Sequence, residues 1–164
     1  MTLPRRFRAA VIAVAAAIAP FAAPAAQAQT APPAGCVGRP SDMWINVVIE
    51  GVRNGTGLMA VTLYADDPSK FLVSRGSIYT GRADAVAGAT RVCLFVPSTG
   101  VYALTTYHDE NSSRKLDRSG LGLPAEGFGF SNNPSTVAGI PSFRSVRLNI
   151  PRSGLTTRIR LRYP

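Results

Sequence analysis

Three features of the sequence predict an all-β domain. Apolar residues alternate with polar ones in seven short segments, turns rich in Gly, Pro and Asn separate them, and no stretch carries a convincing helical period. Together they describe an antiparallel β-sandwich of about seven strands, of immunoglobulin-like or transthyretin-like type, with one long ordered loop. A small closed barrel is the structural alternative. No internal repeat, heptad or low-complexity array is present.

The N-terminus reads as an export signal rather than as part of the fold. Arg5, Arg6 and Arg8 precede an apolar run from Ala9 to Ala19, which is too short to span a bilayer. Pro20 and Pro24 break it, and Ala26-Gln27-Ala28 places small residues for cleavage after Ala28. Gly35-Cys36 lacks the aliphatic residue that a lipidation site needs, because Pro33 occupies that place. The expected organisation is residues 1–28 as signal peptide, 29–43 as an Ala/Pro/Gly/Ser lead-in and 44–164 as one domain, with no transmembrane segment after cleavage. The expected location is periplasmic or extracellular.

Removing residues 1–28 takes away three arginines and leaves 15 basic against 9 acidic residues, a net charge of +6 compared with +9 for the whole chain. Such a balance suits either a solvated strand face or an anionic envelope surface. Nucleic acid is excluded as a partner, since no basic-aromatic reading motif appears. Two cysteines in an exported chain predict one disulfide, Cys36 to Cys93, enclosing about 56 residues and tying the lead-in to a strand.

The strands follow in order. Trp44–Val52 places Ile45, Val47 and Ile49 on one face, and Asn54-Gly55 signals a hairpin turn into Leu58–Ala65. Lys70–Val73 suits a single helical turn capped by Asp67 or Ser69. Ser77–Arg82, Thr90–Val96 and Val101–His108 are the next strands. Ser145–Ile150 and Thr156–Tyr163 close the chain across the Pro151–Gly154 turn. In the last strand Ile159 and Leu161 face inward, while Arg158, Arg160 and Arg162 face out.

Between them, residues 110–142 carry no strand or helix pattern. A loop of that length in a compact domain is functional or disordered. Its apolar anchors Leu116, Leu121, Phe128, Phe130, Ile140 and Phe143 argue for an ordered loop packed over one end of the sandwich. The runs HDENSSRKLD, GLGLPAEGFGFSNNP and PSF resemble the DUF2141 family, small secreted bacterial proteins of uncharacterised function. The pattern of that family is close to HDxNxNxKxD followed by GxPxEGxGFSNN. The likeness extends from Trp44 to the C-terminus and includes the GLMAVTLY and TYHDEN stretches. It implies a secreted β-sandwich and carries no established activity.

Two ligand chemistries can be read from this loop. Asp109, Asn111, Ser113, Lys115 (through its carbonyl) and Asp117 fall at positions one, three, five, seven and nine of a calcium loop, an alternation of oxygens that suits a hard cation. Ser113 replaces a carboxylate or amide, Arg114 stands where glycine is wanted and Gly120 where the bidentate Glu belongs, so the same residues equally read as an Asx-rich turn. His108, Glu126, Phe128, Phe130 and Asn132 form the second set. If exposed, the two rings suit an apolar or glycan ligand; if buried, they plug the end of the sandwich.

No catalytic residue is assigned. His108 and Asp109 are neighbours on a strand and point to opposite faces, no GxSxG elbow is present, and a lone histidine cannot make a zinc site. The leading expectation is a non-enzymatic exported module without a resident cofactor, binding an envelope component or ligand through residues 108–134. The competing readings are a hydrolase or isomerase using His108 with nearby carboxylates, and a calcium-stabilised adhesion-type module.

Overall fold

The computed structural model describes residues 31–120, 122–135 and 140–164. The expected signal peptide, its cleavage position and the anchor Leu121 lie outside them. Eight strands occur among the described residues: β1 (Trp44–Val52), β2 (Leu58–Ala65), β3 (Tyr79–Asp84), β4 (Gly88–Phe95), β5 (Gly100–Asp109), β6 (Phe128–Phe130), β7 (Arg147–Ile150) and β8 (Leu155–Arg160). They form two sheets facing each other, β4-β1-β8 and β3-β2-β5-β6, with β7 also paired to β5. The expected sandwich is correct, and it is not a closed barrel.

The alternating pattern sets the core. Ile45, Val47 and Ile49 of β1, Met59, Val61 and Leu63 of β2, Leu104 of β5 and Ile159 of β8 are all fully buried between the sheets. Each such aliphatic side chain stabilises the fold by about 1.5–3 kcal/mol relative to exposure. As expected, Leu161 is buried beside Ile159, while Arg158, Arg160 and Arg162 are exposed.

The connections differ from their sequence signals. Asn54-Gly55 does not close a hairpin, because β1 and β2 lie in opposite sheets. Asn54 Oδ1 accepts the Thr56 N–H (2.9 Å), so the asparagine turns the chain from one layer to the other. The Pro151–Gly154 turn likewise joins β7 to β8 across the two sheets. One pair departs from the antiparallel rule: β8 runs parallel to β1, with Val47 opposite Thr157 and Ile49 opposite Ile159.

Two local expectations are also corrected. Residues 68–72 form turns rather than a helix, with Asp67 Oδ1 accepting the Ser69 N–H at 2.9 Å. The helical turn sits instead at α1 (Phe143–Val146), so β7 begins at Arg147 rather than Ser145. Packing decides this, since Val146 is fully buried with Tyr64, Phe71, Ala103 and Phe130 in a second cluster outside the main core.

The lead-in is tied to the sheet. Val37 exchanges hydrogen bonds with β4 (its N–H to Cys93 O, 2.9 Å; Phe95 N–H to Val37 O, 3.0 Å), and Cys36 is disulfide-bonded to Cys93. The pairing joins positions 57 apart, which in the chain-entropy account contributes up to ~4 kcal/mol. Replacing both cysteines by serine is expected to lower unfolding stability by roughly 2–4 kcal/mol in urea titrations without changing the far-ultraviolet spectrum.

Candidate functional site

The loop of interest is held between two strands on one edge of β5. Thr105 and Tyr107 lie opposite Phe130 and Phe128 of β6, whereas Gly100–Ala103 pair with β7. The expectation of no strand within residues 110–142 is thus corrected. Three residues centred on a glycine are too few to show a period, and β6 exists because β5 offers an unpaired edge. A Cβ on Gly129 would sit 2.7 Å from Ile159 Cγ2, and one on Gly127 would sit 2.3 Å from the Tyr163 ring. These two glycines let β6 press against the C-terminal strand. The alternate residues Phe128 and Phe130 therefore turn to the outer face of the sheet.

His108 is fully buried, and both its nitrogens are engaged. Nε2 lies 2.8 Å from the Thr56 carbonyl and Nδ1 2.8 Å from the Tyr163 hydroxyl. A carbonyl only accepts, so this geometry assigns the proton to Nε2 and lets Tyr163 donate to Nδ1. Beside it, the Arg53 guanidinium grips both carboxylate oxygens of Glu110 (Nε to Oε1, 2.7 Å) and lies 4.6 Å from the centre of the Tyr163 ring. Asn54 Nδ2 adds a third hydrogen bond to Glu110 at 2.8 Å. The Arg53 contact draws the Glu110 carboxyl down from 4.5 to about 2.

Asp109 points the other way, as its strand position requires. It is also fully buried, and Oδ2 accepts the Arg114 N–H (2.8 Å) while Oδ1 accepts the Ser113 hydroxyl (3.3 Å). Asn111 Oδ1 accepts the Ser113 N–H (3.0 Å), and its amide donates to Asp117 Oδ2 (2.7 Å). The Lys115 carbonyl lies 3.1 Å from the same Ser113 hydroxyl, which shares its one proton between it and Asp109. All five residues of the calcium-type pattern are therefore gathered, with their oxygens hydrogen-bonded within the loop. Arg114 holds φ at +62° and Ser112 at +56°, left-handed backbone that Asp109 secures.

Glu126 closes this loop from below. It is 5 % exposed, and its two oxygens accept the N–H groups of Glu110 (3.2 Å) and Asp117 (3.0 Å). Burial pushes its carboxyl upward, against those two donors, and the nearby Asp117 and Asp109 add to the rise. Asn132 donates to the carbonyls of Arg147 (2.7 Å) and Ser145 (3.3 Å), and Asn133 binds β8 through Arg158 O (3.0 Å) and Arg160 N (2.7 Å). The amides thus fasten the loop to β7 and β8.

A groove of about 540 Å³ lies over the outer face of the second sheet, not over one end of the sandwich, and a smaller concavity of about 250 Å³ adjoins it at Phe128 and Phe130. The floor of the groove is Thr62, Tyr64, Thr105, Tyr107, Phe128 and Phe130, and its sides are Leu72, Leu116, Leu123, Pro124 and Ile140. Phe130 is buried and Phe128 half-buried. Ile140, expected as an anchor, is instead 70 % exposed at the rim, beside Leu123 at 59 %. Of the five residues of the ligand-binding expectation, Phe128 and Phe130 meet in this groove. His108, Glu126 and Asn132 hold up the loop around it.

Sequence reasoning missed Tyr163 and Thr56 as partners of His108, as well as the outward residues of β2 and β5. The only available signal for the latter was the aromatic content of the outer positions Tyr64 and Tyr107. A family model described as "Uncharacterized protein conserved in bacteria (DUF2141)" matches residues 47–158. No curated protein and no solved structure matches the chain.

Two measurements check this account of the loop. Asp109→Ala is expected to cost about 1–2 kcal/mol in urea titrations, because it strands the Arg114 N–H, and to do so equally in 10 mM calcium and in chelator. Glu110→Gln is expected to be less stable than the parent at pH 7. A depressed carboxyl stabilises the fold above its unfolded value of 4.5, and that contribution fades as the pH falls toward 2, so the two proteins should converge there.

Proposed function

The chain belongs to the DUF2141 family, and we propose that it is an exported, non-enzymatic binding module of the cell envelope, with its ligand held in the groove beneath residues 108–134. The observation that carries this reading is the groove itself. Its volume lies within the ~300–1,000 Å³ of small-molecule sites. Three of the six exposed large aliphatic side chains among the described residues, Leu72, Leu123 and Ile140, stand at its edge. Exposed apolar residues that gather around one concavity mark a binding surface.

The state of the polar residues supports binding rather than catalysis. His108 has both nitrogens occupied and no exposure, Asp109 and Glu126 accept backbone N–H groups, and Ser131 is buried against the Leu104 main chain (N–H to Ser131 Oγ, 3.0 Å). None of them faces the groove with a free proton acceptor. Asp109, Asn111 and Asp117 accept hydrogen bonds from N–H and hydroxyl groups of the loop, which supports a turn that needs no resident ion. Export is supported by the Cys36–Cys93 disulfide and by the N-terminal pattern. No helix among the described residues is long and apolar enough to cross a membrane.

The test uses an uncharged apolar probe. N-phenyl-1-naphthylamine is expected to brighten and shift to the blue on the parent protein. The effect should be lost in Leu123→Asp and Ile140→Asp, whose exposed positions leave folding intact. A parent protein on which the probe stays dark, or aspartate variants that still brighten it fully, would refute the groove as the site.

A further inference from the structure

The chemistry of the groove narrows the ligand. Three of its polar lining groups are already paired within the protein: Thr62 with Thr80 (2.9 Å between hydroxyls), Thr106 Oγ1 with the Ala60 carbonyl (2.7 Å), and Tyr107 with Arg82 (3.4 Å). A glycan needs free donors and acceptors for its hydroxyls, and these side chains offer few. A hydrocarbon body does not need them, and it is matched by Phe128, Phe130 and the aliphatic walls.

The charges are lopsided. Arg118 is the one full charge among the lining residues, and no carboxylate joins it there. Its Nη1 donates to the Gly122 carbonyl (2.8 Å), and among the described residues no acidic side chain forms an ion pair with it. A guanidinium so placed beside an apolar cleft favours an anion in front of it and disfavours a cation.

We propose that the groove takes a single-chain amphiphile with an anionic head, its hydrocarbon chain lying along Phe128 and Phe130 and its head at Arg118. The proposal rests on the groove being the binding site and adds the class of ligand. The molecule enters singly, as a free long-chain carboxylate does, rather than as part of a bilayer. Leu116, Leu123 and Pro124 line the cleft from one side, and its volume of about 540 Å³ is that of a site for one small molecule.

The experiment is calorimetric titration of the intact disulfide-bonded protein with monomeric dodecanoate, dodecanol and dodecyltrimethylammonium, and co-sedimentation with vesicles of anionic phospholipid. Dodecanoate is expected to bind most tightly. Arg118→Ala should weaken it roughly tenfold, the loss of one charge-assisted hydrogen bond, and leave dodecanol unchanged. Ile140→Asp should weaken every chain. Equal binding of the three head groups, or indifference of dodecanoate to Arg118→Ala, would overturn the anionic head while leaving the groove reading intact. Binding of the neutral naphthylamine probe without any dodecanoate binding would reject this ligand class alone. Failure of both would remove the groove as well. Sedimentation with anionic vesicles without uptake of monomeric dodecanoate would replace the proposal with surface docking.

Discussion

Strand β5 imposes the governing constraint. It runs through the middle of its sheet, so every main-chain N–H and C=O along both edges must find a partner away from water. β2 covers one edge from Tyr102 to Asp109. The other edge is covered by two short strands laid end to end, β7 against Gly100–Ala103 and β6 against Thr105–Tyr107. At Leu104, between them, Ser131 supplies both partners: its N–H donates to the Leu104 carbonyl (2.9 Å) and its Oγ accepts the Leu104 N–H (3.0 Å). A serine buried there is a splice in the ladder. Because the chain leaves β5, returns for three residues and leaves again before β7, its described residues Leu116, Leu123, Pro124 and Ile140 come to line the outer face of the sheet. The groove is the space that this excursion encloses.

The same constraint explains the run from Ser131 to Asn133. Each side chain replaces a backbone partner that two incomplete strands cannot provide: Ser131 toward β5, Asn132 toward β7 and Asn133 toward β8. Asn132 and Asn133 take left-handed backbone (φ +64° and +48°), which asparagine tolerates better than most side chains. Glu126 and His108 do comparable work at the other end of the excursion. Several polar groups that look like a reaction centre in one dimension are spent on holding an irregular path of backbone.

Much of the fold was legible because period two is a strong signal where one face is buried. Ile45, Val47 and Ile49, or the Ile159/Leu161 alternation with arginines, report their faces directly. Asn54-Gly55 misled because a turn residue reveals that the chain bends, not which sheet it bends into. β6 escaped because Gly129 has no side chain to contribute to a pattern. The candidate site was half legible: the HDENSSRKLD and EGFGF runs located the loop, but its supports are remote. Tyr163 lies 55 positions from His108, and no local feature of either residue announces the pair. Ile140 was misread because an aliphatic residue in a loop looks the same whether it anchors the loop or lines a cleft.

The crossings between layers have a further consequence, for the order in which the molecule can assemble. β8 pairs with β1, the first strand, and the Tyr163 hydroxyl meets both His108 and the Arg53 N–H, the latter 110 positions away. The three-stranded sheet therefore lacks its third member, and the loop lacks its clasp, until almost the whole domain is present. Contacts so distant along the chain make folding slow relative to chains with local pairing. A polypeptide threaded across a membrane from its N-terminus would stay open through most of its passage and close only once the last strand had emerged.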